Sequence, residues 1–227
     1  MCPRFDSWWH HREETERFPL FLFQTAGGYS APQRMEEMNR GPISIRLATA
    51  EDAATIARAV AMAIGNEESL RAYCGEEYLT LLTEIAALAA TQYSWQQALI
   101  AEVEGSPAGA IVGYDGAQLA ALREGTFSVL RKRLGRQPYI SNETEAGEYY
   151  LDSVAVWPEY RGLGIGRELI EAFCERARHK GHERVGLIVD CENPTAERLY
   201  LSLGFERVDS RLFFGHRMWH LQRRCKK

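Results

Sequence analysis

Arg161-Gly162-Leu163-Gly164-Ile165-Gly166-Arg167 sets three alternate glycines between two arginines. Alternate glycines let a backbone bend tightly and bring bare N–H groups against a ligand. The run follows a strand-like segment, Tyr149 to Val156, and opens an amphipathic helix. A helix N-terminus adds partial positive charge, and Arg161 and Arg167 add full charges. Such a loop suits phosphate, above all the pyrophosphate of a nucleotide-containing cofactor. A Walker A loop would need Gly-x-x-x-x-Gly-Lys-Ser/Thr, and no lysine and hydroxyl pair stands in place. A Rossmann turn needs Gly-x-Gly-x-x-Gly directly after its strand. Counted from Gly162 the sixth position is Arg167, and from Gly164 it is Leu169. Asp190, ending the next apolar run, could imitate a ribose-binding acid, so a dinucleotide-binding oxidoreductase stays open as an alternative.

The third pattern is Arg-x-x-Gly-x-Gly, carried by Arg161, Gly164 and Gly166. Here the chain resembles the GCN5-related N-acetyltransferase (GNAT) family. The resemblance includes Leu151 to Pro158 before the loop and Asn193-Pro194-Thr195-Ala196-Glu197-Arg198-Leu199-Tyr200 through Phe205 after it. It is compatible with residues 43–222, with the specific motifs in 149–206. It implies an acetyl-CoA-dependent N-acetyltransferase that passes the acetyl group directly to an amine acceptor, with no metal. It also implies an α/β fold with a mixed, largely antiparallel central sheet flanked by helices, around one splayed parallel pair. Dimers are common in the family, which leaves a homodimer open here. A non-catalytic acyl-CoA-binding or sensing module is the alternative from another class; retention of Tyr200 favours the enzyme.

On this resemblance the N–H groups of Gly162, Leu163, Gly164, Ile165 and Gly166, with Arg161 and Arg167, hold the pyrophosphate. Val154-Ala155-Val156 bonds the pantetheine arm as an added strand, and one of its N–H groups polarises the thioester carbonyl. Tyr200 matches the tyrosine whose hydroxyl faces the sulfur. A phenol of pKa near ~10 can protonate a departing thiolate whose thiol is near ~8.5. Asn193 caps a helix and matches a position that contacts pantetheine. Asp152 is the candidate base, and equally a structural acid bonded to nearby backbone. Glu143, Glu145 and Glu148 could attract a cationic amine, although a charge run in a loop is usually only solvated. Cys191 is a possible acyl-cysteine, yet no histidine partner is evident. Tyr139, Tyr149 and Tyr150 hint at a hydrophobic acceptor, against the general tendency of aromatics to serve as core.

Residues 1–42 read as an appendage, with Trp8-Trp9, His10-His11 and an aromatic run; Met35 or Met38 could be the native start. The 43–222 segment is the domain; against the minimal pattern of the family it resembles, about 116–147 reads as a helix-and-loop insertion, which the resemblance would place near the acceptor end. Arg223 to Lys227 reads as a short basic tail. The chain has 227 residues, 45% apolar and 26% charged, enough for an ordinary core. A net charge of -4 argues against a nucleic-acid surface. Five cysteines without metal spacing or a paired framework fit free thiols in a reducing cytoplasm. No run is long enough to span a bilayer.

The elements that must position these residues follow from periodicity. Ile43 to Leu47 alternates as a strand, and an alanine-rich helix follows to about Ile64. A second helical region spans Tyr78 to about Thr91. Ala98–Val103 and Ala108–Tyr114 read as a hairpin turned by Gly105-Ser106-Pro107. A helix from Ala117 to about Leu134 is weakened by Gly125. After the glycine loop, Ile165, Leu169, Ile170, Phe173, Cys174 and Ala177 form one apolar helical face. Val185–Val189 is a buried strand, Asn193 starts the next helix, and Phe205–Leu212 with His216–Leu221 closes the sheet.

Overall fold

A computed structural model of the protein describes residues 42–213 and 215–225. The reading of residues 1–42 as an appendage lies, but for Pro42, outside the described residues.

Seven strands form one sheet in the order β1-β2-β3-β4-β5-β7-β6. They are β1 (Ile43–Leu47), β2 (Ala98–Val103), β3 (Ser106–Asp115), β4 (Tyr149–Val156), β5 (Arg184–Asp190), β6 (Glu206–Phe213) and β7 (His216–Arg224). Every neighbouring pair is antiparallel except β4 and β5. This is the mixed, largely antiparallel sheet expected. Six α-helices accompany it among the described residues: α1 (Ala53–Ile64), α2 (Glu67–Cys74), α3 (Tyr78–Ala87), α4 (Leu119–Leu134), α5 (Ile165–His179) and α6 (Pro194–Ser202). None is long and apolar enough to cross a membrane.

Strand alternation divides the core between the two faces. Ala98, Ile100, Ala110 and Val112 join α1, α2 and α3 on one side. Leu99, Ala101, Ile111, Val154 and Val156 join α5 on the other. The apolar face of α5 read from periodicity is buried in full, from Ile165 to Ala177. α5 lies so close to β3 that a methyl group on Gly113 would overlap the Phe173 ring and the Tyr150 carbonyl.

Several boundaries differ from the sequence reading. α2 was hidden in a polar stretch; Asn66 starts it by accepting from Ser69 N–H at 2.6 Å. α3 stops at Ala87 rather than Thr91. The β2–β3 turn sits on Glu104 and Gly105, both at positive φ, so Ser106 and Pro107 already belong to β3. Gly125 does not mark a weak point: α4 is continuous there and packs against the Ala90 carbonyl, where a side chain would collide.

The basic tail also begins later than expected. Arg223 and Arg224 are strand, paired with Val185 and Arg184 of β5. Arg223 grips Glu171 of α5 through two bonds of 3.0 and 2.8 Å. Pairing with β5 satisfies backbone groups that a solvated tail would leave to water.

Candidate active site

β4 and β5 are in register only at Tyr149–Val185 and Tyr150–Gly186, at the start of both strands. Beyond Tyr150 they diverge. On its other side β4 stays paired with β3 as far as Val156–Gly109. The edge of Val154, Ala155 and Val156 toward β5 is therefore open to an added extended chain, and main-chain hydrogen bonds are what such a ligand would use.

The open edge leads into the glycine loop. Pro158–Tyr160 makes one 3₁₀ turn, and Gly162 and Gly164 follow with φ of 78° and 83°. Those left-handed values suit glycine. The first amides bonding back into α5 are those of Arg167 and Glu168, at 2.9 and 3.1 Å from the Gly164 carbonyl. The amides of Gly162 to Gly166 stand ahead of that ladder, where a helix leaves its first N–H groups for caps or ligands. Arg161 and Arg167 are exposed beside them. Arg161 Nε donates to the Val156 carbonyl at 3.4 Å, and Arg167 donates to Ser202 Oγ at 3.3 Å. An open strand edge, a run of free-standing amides and two cations meet in one place. That set fits a ligand with an amide-bearing arm and a pyrophosphate.

Across the splay, Asn193 Oδ1 accepts from Ala196 N–H at 3.1 Å and starts α6. This is the capping role read from sequence. Tyr200, on α6, shares a core with Val154, Val156 and Ile165, and its ring meets Phe205 edge-on at 5.8 Å. Burial pushes its phenol well above the usual range, so it stays protonated. Cys191 follows β5, and burial together with Asp190 raises its thiol. It is poorly suited to attack as a thiolate.

Asp152 is set apart by a β-bulge. Val112 pairs with Ser153 but Gly113 pairs with Leu151, so Asp152 is the extra residue of β4. The slip explains why Tyr149, Leu151, Val154 and Val156 all reach the same core. Asp152 Oδ2 accepts from Tyr114 Oη at 2.8 Å, and Oδ1 accepts from Ser153 Oγ at 2.9 Å. Burial, then the charge of Glu143, raises its carboxyl to about 6.

Three side chains around Asp152 and Glu143 escaped the sequence reading: Tyr114, Gln92 and Arg123. Tyr114 Oη lies 3.2 Å from Glu143 Oε1, and Gln92 Nε2 donates to both, at 3.0 and 3.3 Å. Arg123 of α4 is buried and ion-paired with Glu143. It also donates to Asn142 Oδ1 at 2.9 Å, tying down the insertion loop. Tyr114 ends an apolar strand and Arg123 lies mid-helix, so nothing in their local sequence marks them.

The glutamates expected to be solvated divide. Glu145 is exposed and pairs with Arg211 at 3.2 Å. Glu143 and Glu148 are buried instead. Glu148 accepts from Thr144 Oγ1 at 2.6 Å and Gln222 Nε2 at 2.7 Å, with His220 Nε2 at 2.8 Å. Those bonds fasten the loop to β7 and leave Glu148 committed to structure. Tyr149 and Tyr150 are core, whereas Tyr139 is 90% exposed. A surface hollow lies elsewhere, around Arg178, His182, Arg184 and Arg224 at the closed end of the sheet. Among the described residues no group of three or more His, Cys, Asp or Glu could hold a metal ion.

The model of the acetyltransferase (GNAT) family matches residues 66–205. The chain belongs to this family. A solved structure described as an acetyltransferase superposes on this GNAT chain with a TM-score of 0.70 and 34% identity, over 81% of this chain and 100% of the other. An N-acetyltransferase from Staphylococcus aureus Mu50 shares the fold, with a TM-score of 0.66 and 24% identity over 79% of this chain and 99% of that one. The mycothiol acetyltransferase of Paenarthrobacter aurescens is 41% identical over 69 residues, covering 30% of this chain and 21% of that protein. The corresponding protein of Thermobispora bispora is 49% identical over 61 residues, covering 27% of this chain and 20% of that protein. The matches to these curated relatives thus span about a fifth of the relatives' length.

Proposed function

We infer that this GNAT chain transfers an acetyl group from acetyl-CoA to a primary amine by direct attack. The carrying observation is the divergence of β4 from β5 beside the amides of Gly162 to Gly166. The thioester supplies an activated acyl group. The chain supplies placement and proton handling. Val154 to Val156 align the pantetheine arm, and a β4 N–H polarises the thioester carbonyl. Gly162 to Gly166, Arg161 and Arg167 hold the pyrophosphate by charge-assisted bonds. As the amine nitrogen bonds to the carbonyl carbon, its proton passes to the Asp152 carboxylate. As the carbon–sulfur bond breaks, the Tyr200 hydroxyl gives a proton to sulfur. Solvent then removes the proton from Asp152 and restores that of Tyr200, leaving an amide and a free thiol.

Burial makes Tyr200 a weaker acid than a free phenol, but a thiolate leaving into the same apolar site also gains proton affinity. A carboxylate titrating near 6 is a stronger base than an ordinary aspartate, yet is mostly ionised at neutral pH.

The acceptor is an amine brought to the bulge of β4, at the side where the insertion closes over Tyr114. The reaction belongs to the cytoplasm, where acetyl-CoA and reduced thiols coexist. Calorimetry with acetyl-CoA, CoA and NAD, followed by thiol release across an amine panel, tests the reading. Absence of CoA binding by the folded chain would falsify it, and binding without thiol release would favour the sensing module.

A further inference from the structure

Glu143, Tyr114 and Asp152 come from three separate elements: the insertion loop, β3 and the bulge of β4. The hydroxyl of Tyr114 sits between the two carboxylates, 2.8 Å from Asp152 Oδ2 and 3.2 Å from Glu143 Oε1. One hydroxyl proton cannot serve both at once. Gln92 Nε2 donates to the tyrosine oxygen and to Glu143 but not to Asp152. That leaves the tyrosine proton for Asp152 whenever Asp152 is ionised. When Asp152 holds a proton, the hydroxyl is free to turn to Glu143.

We propose that Glu143 and Tyr114 are positioning residues for Asp152: the hydroxyl shared by the two carboxylates ties the protonation of the base to a charge delivered by the insertion. The inference rests on the reading of Asp152 as the base. Its chemistry is one proton. The proton leaving the amine nitrogen goes to Asp152, and the hydroxyl it had been accepting swings to Glu143, so no carboxylate oxygen loses its donor without a replacement.

The groups facing Asp152 fix the sign of each change. Glu143 from the loop and burial favour the protonated form, whereas Tyr114, Ser153 and Arg123 favour the ionised form. Tyr73 of α2, Tyr93 and Tyr150 also face this cluster, and burial keeps all three protonated. Removing the charge of Glu143 therefore eases ionisation of Asp152, and Arg123, freed of its partner, acts in the same direction. Removing the Tyr114 hydroxyl hinders ionisation. Both movements follow from proximity alone, and an acid limb of turnover that moves with them is what ties them to the base.

The test uses the full chain labelled at its aspartate carboxyl carbons, with the Asp152 resonance assigned by Asp152→Asn. Its titration midpoint should fall by about one pH unit in Glu143→Gln and rise by about half a unit in Tyr114→Phe. Midpoints matching the unaltered chain in both folded variants, or moving in the same direction, overturn the proposal. Should Glu143→Gln not fold, the near-isosteric Tyr114→Phe decides alone: an upward shift supports, and an unchanged or lowered midpoint overturns. Thiol release from acetyl-CoA with spermidine and tyramine as probe amines is followed on the same samples. An acid limb that tracks the shifted midpoints supports both readings. An unaltered chain that shows no turnover while its carboxyl midpoints shift as stated overturns the transferase reading and upholds the coupling.

Discussion

Tyr114 Oη reaches Asp152 Oδ2 at 2.8 Å because β3 and β4 slip by one residue between Val112 and Gly113. A strand's side chains alternate, so a one-residue slip exchanges faces. The slip lets β4 bury Tyr149 and Leu151 before it, and Val154 and Val156 after it, in one core. It frees Asp152 to turn toward Tyr114 and the insertion.

Asp152→Asn should lower kcat/KM for the amine by about a hundredfold, the usual share of a general base. It should also raise stability at pH 8. The folded carboxyl titrates near 6, above the unfolded value. Between those two values the folded state binds more protons, so stability falls as pH rises through that window. The neutral asparagine avoids this loss. Its advantage in melting temperature should be present at pH 8, shrink below pH ~6 and vanish near pH ~4. Equal advantage at pH 4 and pH 8 would show that Asp152 is not desolvated in this way.

Tyr200→Phe should reduce kcat by about ten- to a hundredfold with KM for acetyl-CoA nearly unchanged. The ring keeps its place against Phe205, and only the hydroxyl is lost. Steady-state kinetics distinguish the outcomes: a raised KM with normal kcat would make Tyr200 a packing residue.

Arg161→Ala should raise KM for acetyl-CoA about tenfold and leave kcat alone, because the side chain is exposed beside the loop proposed to hold the pyrophosphate. The salt dependence of CoA binding should fall in parallel. Calorimetry at low and high ionic strength checks both, and an unchanged Kd would remove Arg161 from the pyrophosphate site.

Gly113→Ala should destabilise the fold by about 1–3 kcal/mol, since its methyl group would overlap the Phe173 ring and the Tyr150 carbonyl. The strain falls where β3 approaches α5. Urea denaturation gives the loss, and wild-type stability would mean that α5 can retreat from β3 freely.

Much of this molecule was written locally. The glycines and arginines from 161 to 167, the apolar face from Ile165 to Ala177 and the cap at Asn193 are short-range patterns. Backbone freedom, helical period and a side chain bonded three residues ahead leave their mark on adjacent positions. Those patterns sufficed for the fold, for the glycine loop ahead of α5 and for the start of α6. What only the tertiary structure decided is long-range: the two-pair register of β4 with β5, the bulge at Asp152, and the meeting of Glu143, Tyr114, Gln92 and Arg123. Glu143 and Glu148 looked like loop charges because burial is set by what folds over a residue, and apart from Thr144 the side chains that hold them lie 20 to 74 positions away and leave no local sign. The sequence marked the glycine loop between its two arginines, and packing alone determined what surrounds Asp152.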